Sequence, residues 1–457
     1  MRAPVLRWGL GLGVFGLVER AALWFVYAPT SFGDSPSYMR LAGALSEGGL
    51  SAYDGTRVPG YPALLALLDQ DPRSVWLVQM ALGWGISMLL FWLGWKTTGS
   101  PYPGFLVGML YNLIPGQVLF EANLLSETLT AFLVMLSLAL WVALERRIRL
   151  VGDGQPLRRL DRARRGLRSG EPVQLGLASL VGIASTLAAM VRPLFFVLPA
   201  WLFIFVWTGP AKGGRDRIAR AISFALGPIL ILGGWLNWVS STYGMFAPTT
   251  MGGYHLVQHT GEYFEYLPDE VAPIRDTYLK YRDAQIAERG VQTNAIWDAI
   301  PEMSEVSGLS FFGLSVELQR LSLRLIVEHP DLYFKNVIQG WIDFWKAPVY
   351  WDRGAVAAPW LGAAFAGWAG LGRVVSLAAN GLFLVGSVAG VVSRWARSRL
   401  GIDRCSLGFG GLVWLSSIVQ TLPDHGDNPR FLVPLQSVVI LLVVRAAWTW
   451  KRTGAEG

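Results

Sequence analysis

The chain has 457 residues, 53% of them hydrophobic and only 16% charged, which is too apolar for a soluble protein of this length. Its formal charge of +7 comes from arginines concentrated in a few stretches; these read as membrane-topology signals and exclude a nucleic-acid-binding face. With one cysteine, Cys405, neither an intramolecular disulfide nor a cysteine metal cluster can form.

The apolar residues come in blocks of about twenty, the length that crosses a bilayer. The first, 7–29, lacks a small-residue cleavage site and reads as a retained span rather than a signal peptide. The loop after it reads Gly33-Asp34-Ser35-Pro36-Ser37-Tyr38 and leads on to Arg57-Val58-Pro59-Gly60-Tyr61-Pro62. It places a carboxylate, which can accept a proton from a hydroxyl, before a cation, which can steady a departing phosphate. The plainer reading is a helix start, with Asp34 and Ser35 as caps and Pro36 at the first helical position.

Spans follow at 74–95, 102–120 and 124–144, the last opened by Asn123-Leu124-Leu125-Ser126-Glu127. Glu127 can bind sugar hydroxyls, orient an acceptor or share a divalent cation with Asp34. It also fits a capping box with Asn123 or Ser126. The stretch 145–172 is rich in arginine, and spans at 173–191 and 194–208 then meet at Arg192-Pro193, followed by a span at 220–241. The segment 242–354 is acidic and holds His255, His259 and His329. Within it Leu314, Leu318, Leu321 and Leu325 predict a helix ending before Pro330, and 331–346 predicts an aromatic helix packed at the interface. The Gly- and Ala-rich stretch 355–370 reads as interfacial. Spans at 372–394, 406–422 and 431–448 complete a set of ten, with Asp424, His425, Asp427 and Arg430 in the turn before the last.

With ten spans and the N-terminus inside, Arg2, Arg7, Lys96, the 145–172 arginines, Arg215, Arg217, Arg394, Arg397, Arg399, Arg404, Lys451 and Arg452 all fall inside. An eleventh span at 355–370 would expel the last two. Arg192 falls outside, against that trend, which favours a specific anionic partner held in a bidentate way. The expected fold is therefore an all-α polytopic membrane protein of about ten transmembrane helices with a mainly helical extracytoplasmic segment. Its expected parts are a seven-span module (1–241), an extracytoplasmic and interfacial segment (242–371) and a three-span module (372–457).

Taken in order, the Asp34 loop with Tyr38, Arg57 through Pro62, Asn123 through Glu127, Asn237 through His255, His329 through Tyr333 and Asp427 through Pro434 resemble the GT-C superfamily of membrane glycosyltransferases. The likeness is nearest to bacterial members related to protein O-mannosyltransferases and the aminoarabinose transferase of lipid A. The resemblance implies a GT-C fold, a polyprenyl-phosphate sugar donor and inversion at the anomeric carbon. The acceptor it implies is a hydroxyl of a glycolipid, polysaccharide or protein. It makes Asp34 the general base, with Glu127 beside it, and assigns the donor phosphate to Arg57, Arg192 and Arg430. Tyr38, Tyr61, His255, His425 and Asp427 become substrate contacts. Many relatives carry two adjacent acids in the first loop, whereas Ser35 follows Asp34 here, so a mechanism using a neighbouring carboxylate pair is in doubt. No cofactor is indicated. His255 and His259, four apart, have metal-ligand spacing, but Gly252 and Gly253 beside them and the lack of an intervening acid weaken it. The expected location is the bacterial inner membrane, with both termini cytoplasmic and the chemistry outside. A transporter or flippase of a lipid-linked or polar solute, another polyprenyl-lipid enzyme such as an O-antigen ligase, and a noncatalytic scaffold are the rival readings. Convergence of Asp34, Arg57 and Glu127 on one cavity separates enzyme from scaffold.

Overall fold

The computed structural model describes residues 2–152, 171–211, 213–425 and 428–455. Most of the arginine-rich stretch and the candidate Asp427 lie outside the described residues. Among those described, the chain is helical, with one isolated parallel bridge between Thr30 and Asn123.

Among the described residues seven helices are long and apolar enough to cross a membrane: Ala3–Val26, Pro72–Thr98, Glu127–Arg149, Pro172–Val191, Gly214–Tyr243, Leu361–Val392 and Val433–Thr453. They carry large apolar side chains that face outward, among them Leu17 and Phe25, Ile229 and Leu230, and Val391 and Val392. Such faces need lipid as their solvent. The expected span 102–120 is bent by 68° between Pro101–Leu113 and Pro115–Ala122, and counts as an eighth if the pair is one span. Its cause is local. Pro115 lacks the N–H that would continue the helix and forces Ile114 into an extended conformation. The two remaining expected spans, 194–208 and 406–422, are shorter or less apolar. One is the apolar stretch Pro193–Thr208. The other is Arg404–Thr421, where Ser416, Ser417 and Gln420 are buried.

The stretch 355–370, expected as a segment separate from the span at 372–394, joins it. From Leu361 it is the leading part of one 32-residue helix that runs to Val392. No proline follows Pro359 in this stretch, so nothing breaks the ladder of hydrogen bonds. At 1.5 Å per residue the helix is roughly 48 Å long, more than the roughly 30 Å of a hydrocarbon core.

Close packing uses small residues. A Cβ on Gly94 would stand 2.5 Å from the Cα of Gly104, so helices Pro72–Thr98 and Pro101–Leu113 meet backbone to backbone. Loops expected on the inner side do gather at one end. Arg146 donates to the Lys96 carbonyl at 2.8 Å, and Arg404 reaches Glu145 at 3.1 Å and the Thr208 hydroxyl at 3.0 Å.

Between the spans, helices Gly252–Thr260, Ala272–Arg289, Ala295–Ser307 and Phe311–Glu328 enclose a core of their own. Leu314, Leu318, Leu321 and Leu325 are all fully buried in it, as their spacing predicts. The Ser310 hydroxyl caps that helix by accepting from the Gly313 N–H at 3.1 Å. Helix Pro330–Phe344 then ties this segment to the bundle. Trp341 stacks on Trp414 with ring centroids 5.8 Å apart and donates to the Ser417 hydroxyl at 3.1 Å.

Candidate active site

The site is assembled by a short staple between the first loop and the turn that opens the fourth expected span. The Thr30 N–H donates to the Ala122 carbonyl and the Leu124 N–H to the Thr30 carbonyl, both at 2.9 Å. The Thr30 hydroxyl donates to Asn123 Oδ1 at 2.6 Å. One turn on, the Ser35 hydroxyl donates to the Leu124 carbonyl at 2.9 Å, and the hydroxyls of Tyr38 and Ser126 meet at 3.1 Å. These bonds fix Asp34, which precedes helix Ser35–Gly48, relative to Glu127, which begins helix Glu127–Gly152.

Beneath the staple lies a buried polar layer. Gln79 donates to the carbonyls of Glu121 and Asn123 at 2.9 and 2.8 Å and accepts from the Tyr61 hydroxyl at 3.2 Å. Arg20 forks onto Glu121, with Nε at 2.9 Å and Nη2 at 2.5 Å from the two carboxylate oxygens, and donates to Asn112 at 3.2 Å.

Asp34 occupies the N-cap position, with proline in the first turn, yet its side chain makes no capping bond. The carboxylate faces two guanidinium groups instead. Oδ1 accepts from Arg57 Nη2 at 2.6 Å and Oδ2 accepts from Arg430 Nη2. Arg57 is steadied by the Ser37 hydroxyl at 3.1 Å and lies 4.6 Å above the Tyr38 ring. Behind them, Glu127 Oε1 pairs with Arg192 Nη1 at 2.6 Å and with Arg430 Nε at 3.0 Å. Arg192 also stacks over Phe431 at 4.6 Å. Glu127 Oε2 is buried and has no hydrogen-bond partner among the described residues. Among the described residues two acids thus alternate with three arginines.

Burial raises the affinity of the Asp34 carboxyl for a proton, but Arg430 and Arg57 outweigh it and hold the group well below the usual carboxylate range. For Arg57 burial acts the other way, and Tyr38 and Asp34 keep the guanidinium above its ordinary value.

A cavity of about 1210 Å³ opens over the cluster, with Asp34, Tyr38, Arg57, Arg192 and Arg430 in its lining. Val191, Leu194, Met245, Phe246 and Phe431 give it apolar surface. The 252–319 helices supply Gln258, Asn294, Trp297, Asp298 and Gln319. His255 also lines it and pairs through Nδ1 with Asp424 at 3.1 Å.

Several expected contacts fall elsewhere. Tyr61 is fully buried with its ring edge-on to Tyr38 at 4.9 Å; it supports the lining without belonging to it. Glu127 sits behind the arginines, only 1% exposed, and does not line the cavity. His425 packs edge-on against His259 at 5.5 Å and does not line the cavity. His255 and His259 share a helix but engage different partners, since His259 Nε2 donates to the Thr421 carbonyl at 2.9 Å. Burial and the neighbouring His425 push His259 down to about 4. Among the described residues no group of three or more His, Cys, Asp or Glu side chains is arranged to hold a metal ion. The Thr30–Asn123 staple and the lining residues Gln258, Asn294, Trp297 and Gln319 carried no sequence signal, because each depends on pairing between distant segments.

No family model matches the chain, and no curated protein matches it. Among solved structures, the chain is similar to the archaeal oligosaccharyltransferase AglB from Archaeoglobus fulgidus, in complex with an inhibitory peptide and a dolichol-phosphate. The TM-score is 0.46 and the identity 12% over 95% of this chain and 50% of that one, so the chain spans about half the length of that protein.

Proposed function

We propose that the protein is a membrane glycosyltransferase of the GT-C kind. It moves a sugar from a polyprenyl-phosphate donor to an acceptor hydroxyl on the extracytoplasmic face of a bacterial inner membrane. The observation that carries this reading is the convergence of Asp34, Arg57, Arg192 and Arg430 on one large cavity that also has apolar surface. A phosphodiester carries a negative charge, which the guanidinium groups lining the cavity can hold through paired N–H donors. The apolar lining suits the first isoprene units of the lipid. The wide remainder of the cavity leaves room for sugar and acceptor.

In the proposed reaction the acceptor oxygen attacks the anomeric carbon from the face opposite the phosphate, inverting it. Arg57 and Arg430 hold the phosphate as its charge grows on departure, so the leaving group needs no proton. Asp34 takes the acceptor proton. Glu127 acts by positioning, holding Arg192 and Arg430 from behind. The polar residues of the 252–319 helices face the acceptor.

The test is transfer by the purified full-length protein offered a panel of radiolabelled polyprenyl-phosphate sugars with an envelope extract as acceptor source. The expected result is release of free polyprenyl phosphate together with labelled acceptor from at least one donor. Net movement of intact donor across vesicle membranes without cleavage would replace this reading with that of a flippase.

A further inference from the structure

We propose that Asp34 and the donor phosphate compete for the same two guanidinium groups, so that donor binding itself frees the carboxylate that deprotonates the acceptor. The inference rests on the reading above and adds how the base is switched on.

Both oxygens of Asp34 are occupied, one by Arg57 and the other by Arg430. A carboxylate in that state is a weak base, because taking up a proton means giving up an arginine. The two arginines are anchored independently of Asp34. Arg57 rests on Ser37 and the Tyr38 ring, and Arg430 rests on Glu127. Asp34 has no such anchor. Its carboxylate makes no capping bond and no further hydrogen bond among the described residues. Carboxylate and phosphate present similar oxygen pairs to a guanidinium, so a phosphate arriving at Arg57 and Arg430 takes over the donors that Asp34 gives up. The side chain that moves is the one held only by the contacts being exchanged. Among the described residues the charged and titratable groups around it include Arg57 and Tyr38 from the first loop and helix, Arg430 from the turn before the last helix, and the Glu127–Arg192 pair behind.

The exchange keeps the charge balance through the reaction. The acceptor O–H proton passes to Asp34, and the acceptor oxygen forms its bond to the anomeric carbon. The bond from that carbon to the phosphate oxygen breaks, and its electron pair stays on the phosphate. Donor phosphodiester and carboxylate, one negative charge each, become a phosphomonoester with two charges and a neutral acid. The growing charge lies on the two arginines already released to it. Without donor the base remains paired.

The test uses the full-length protein in lipid nanodiscs with polyprenyl methyl phosphate, a phosphodiester that keeps a single charge and has no sugar to transfer. The protonation of Asp34 is followed by infrared difference spectroscopy against pH. The band is assigned by its loss in Asp34→Asn or, should that variant not fold, by its shift in Asp34→Glu. The expected result is that bound phosphodiester raises the midpoint of Asp34 by about one pH unit or more. Binding with an unchanged or lowered midpoint overturns the exchange and leaves the donor assignment standing. Absence of binding overturns the donor assignment and the exchange with it.

Discussion

Replacing Asp34 with Asn is expected to lower sugar transfer by about 10²–10⁴-fold, the range for loss of a general base, while tightening the binding of polyprenyl phosphate. The two effects have opposite signs because Asp34 has two relations to its surroundings. It is the proposed proton acceptor, and it is the present partner of Arg57 and Arg430. Asparagine removes the base and also the negative charge that competes with phosphate for those arginines. The helix start tolerates the change, since Asp34 contributes no capping bond and Ser35 retains its bond to the Leu124 carbonyl. Single-turnover transfer and lipid binding on the same preparation check this. A purely structural role for Asp34 predicts that both fall together.

The second large effect is expected at Arg20, which does not line the cavity. Arg20 is 4% exposed and Glu121 is 1% exposed, and they pair through two bonds. No space is left around the carboxylate: a Cβ on Gly83 would come within 1.9 Å of Glu121 Oε1. Arg20→Met therefore leaves a buried acid uncompensated and is expected to cost about 3–5 kcal/mol. Adding Glu121→Gln to that variant should restore most of the loss, because two neutral partners no longer demand a charge. Transfer should follow stability, as Glu121 lies in the turn that carries Asn123 and leads to Glu127. Denaturant unfolding in detergent of the two single variants and the double variant measures the coupling. A single variant as stable as wild type would remove this pair from the supports of the site.

The sequence made the membrane class legible because lipid imposes long apolar blocks that survive in one dimension, and it made the buried face of Phe311–Glu328 legible because leucine spacing follows the helical turn. It set the Gly- and Ala-rich stretch 355–370 apart from the span that follows, with which it forms one helix from Leu361. Continuity depended on the absence of proline. It treated 102–120 as one straight span although Pro115 stood in plain view, since hydropathy does not register a bend. At the site, the residue types in the first loop and in Arg192 and Arg430 pointed to phosphate chemistry before any geometry was known. What the sequence lacked was depth. Tyr61 shares a motif with the lining residue Arg57 but sits one layer behind it, and Glu127 lies behind the arginines; which residue faces a cavity is decided by packing between segments as distant as Asp34 and Arg430.

The central claim is that this cluster holds a lipid-linked phosphate, and the most direct measurement is an electron cryomicroscopy structure of the protein with polyprenyl phosphate in a lipid nanodisc. The account predicts phosphate density within hydrogen-bonding distance of Arg57 and Arg430, the chain lying along Val191, Leu194 and Phe431, and the Asp34 carboxylate turned away from both guanidinium groups. Lipid phosphate bound elsewhere, with Asp34 still bridging Arg57 and Arg430, would contradict it.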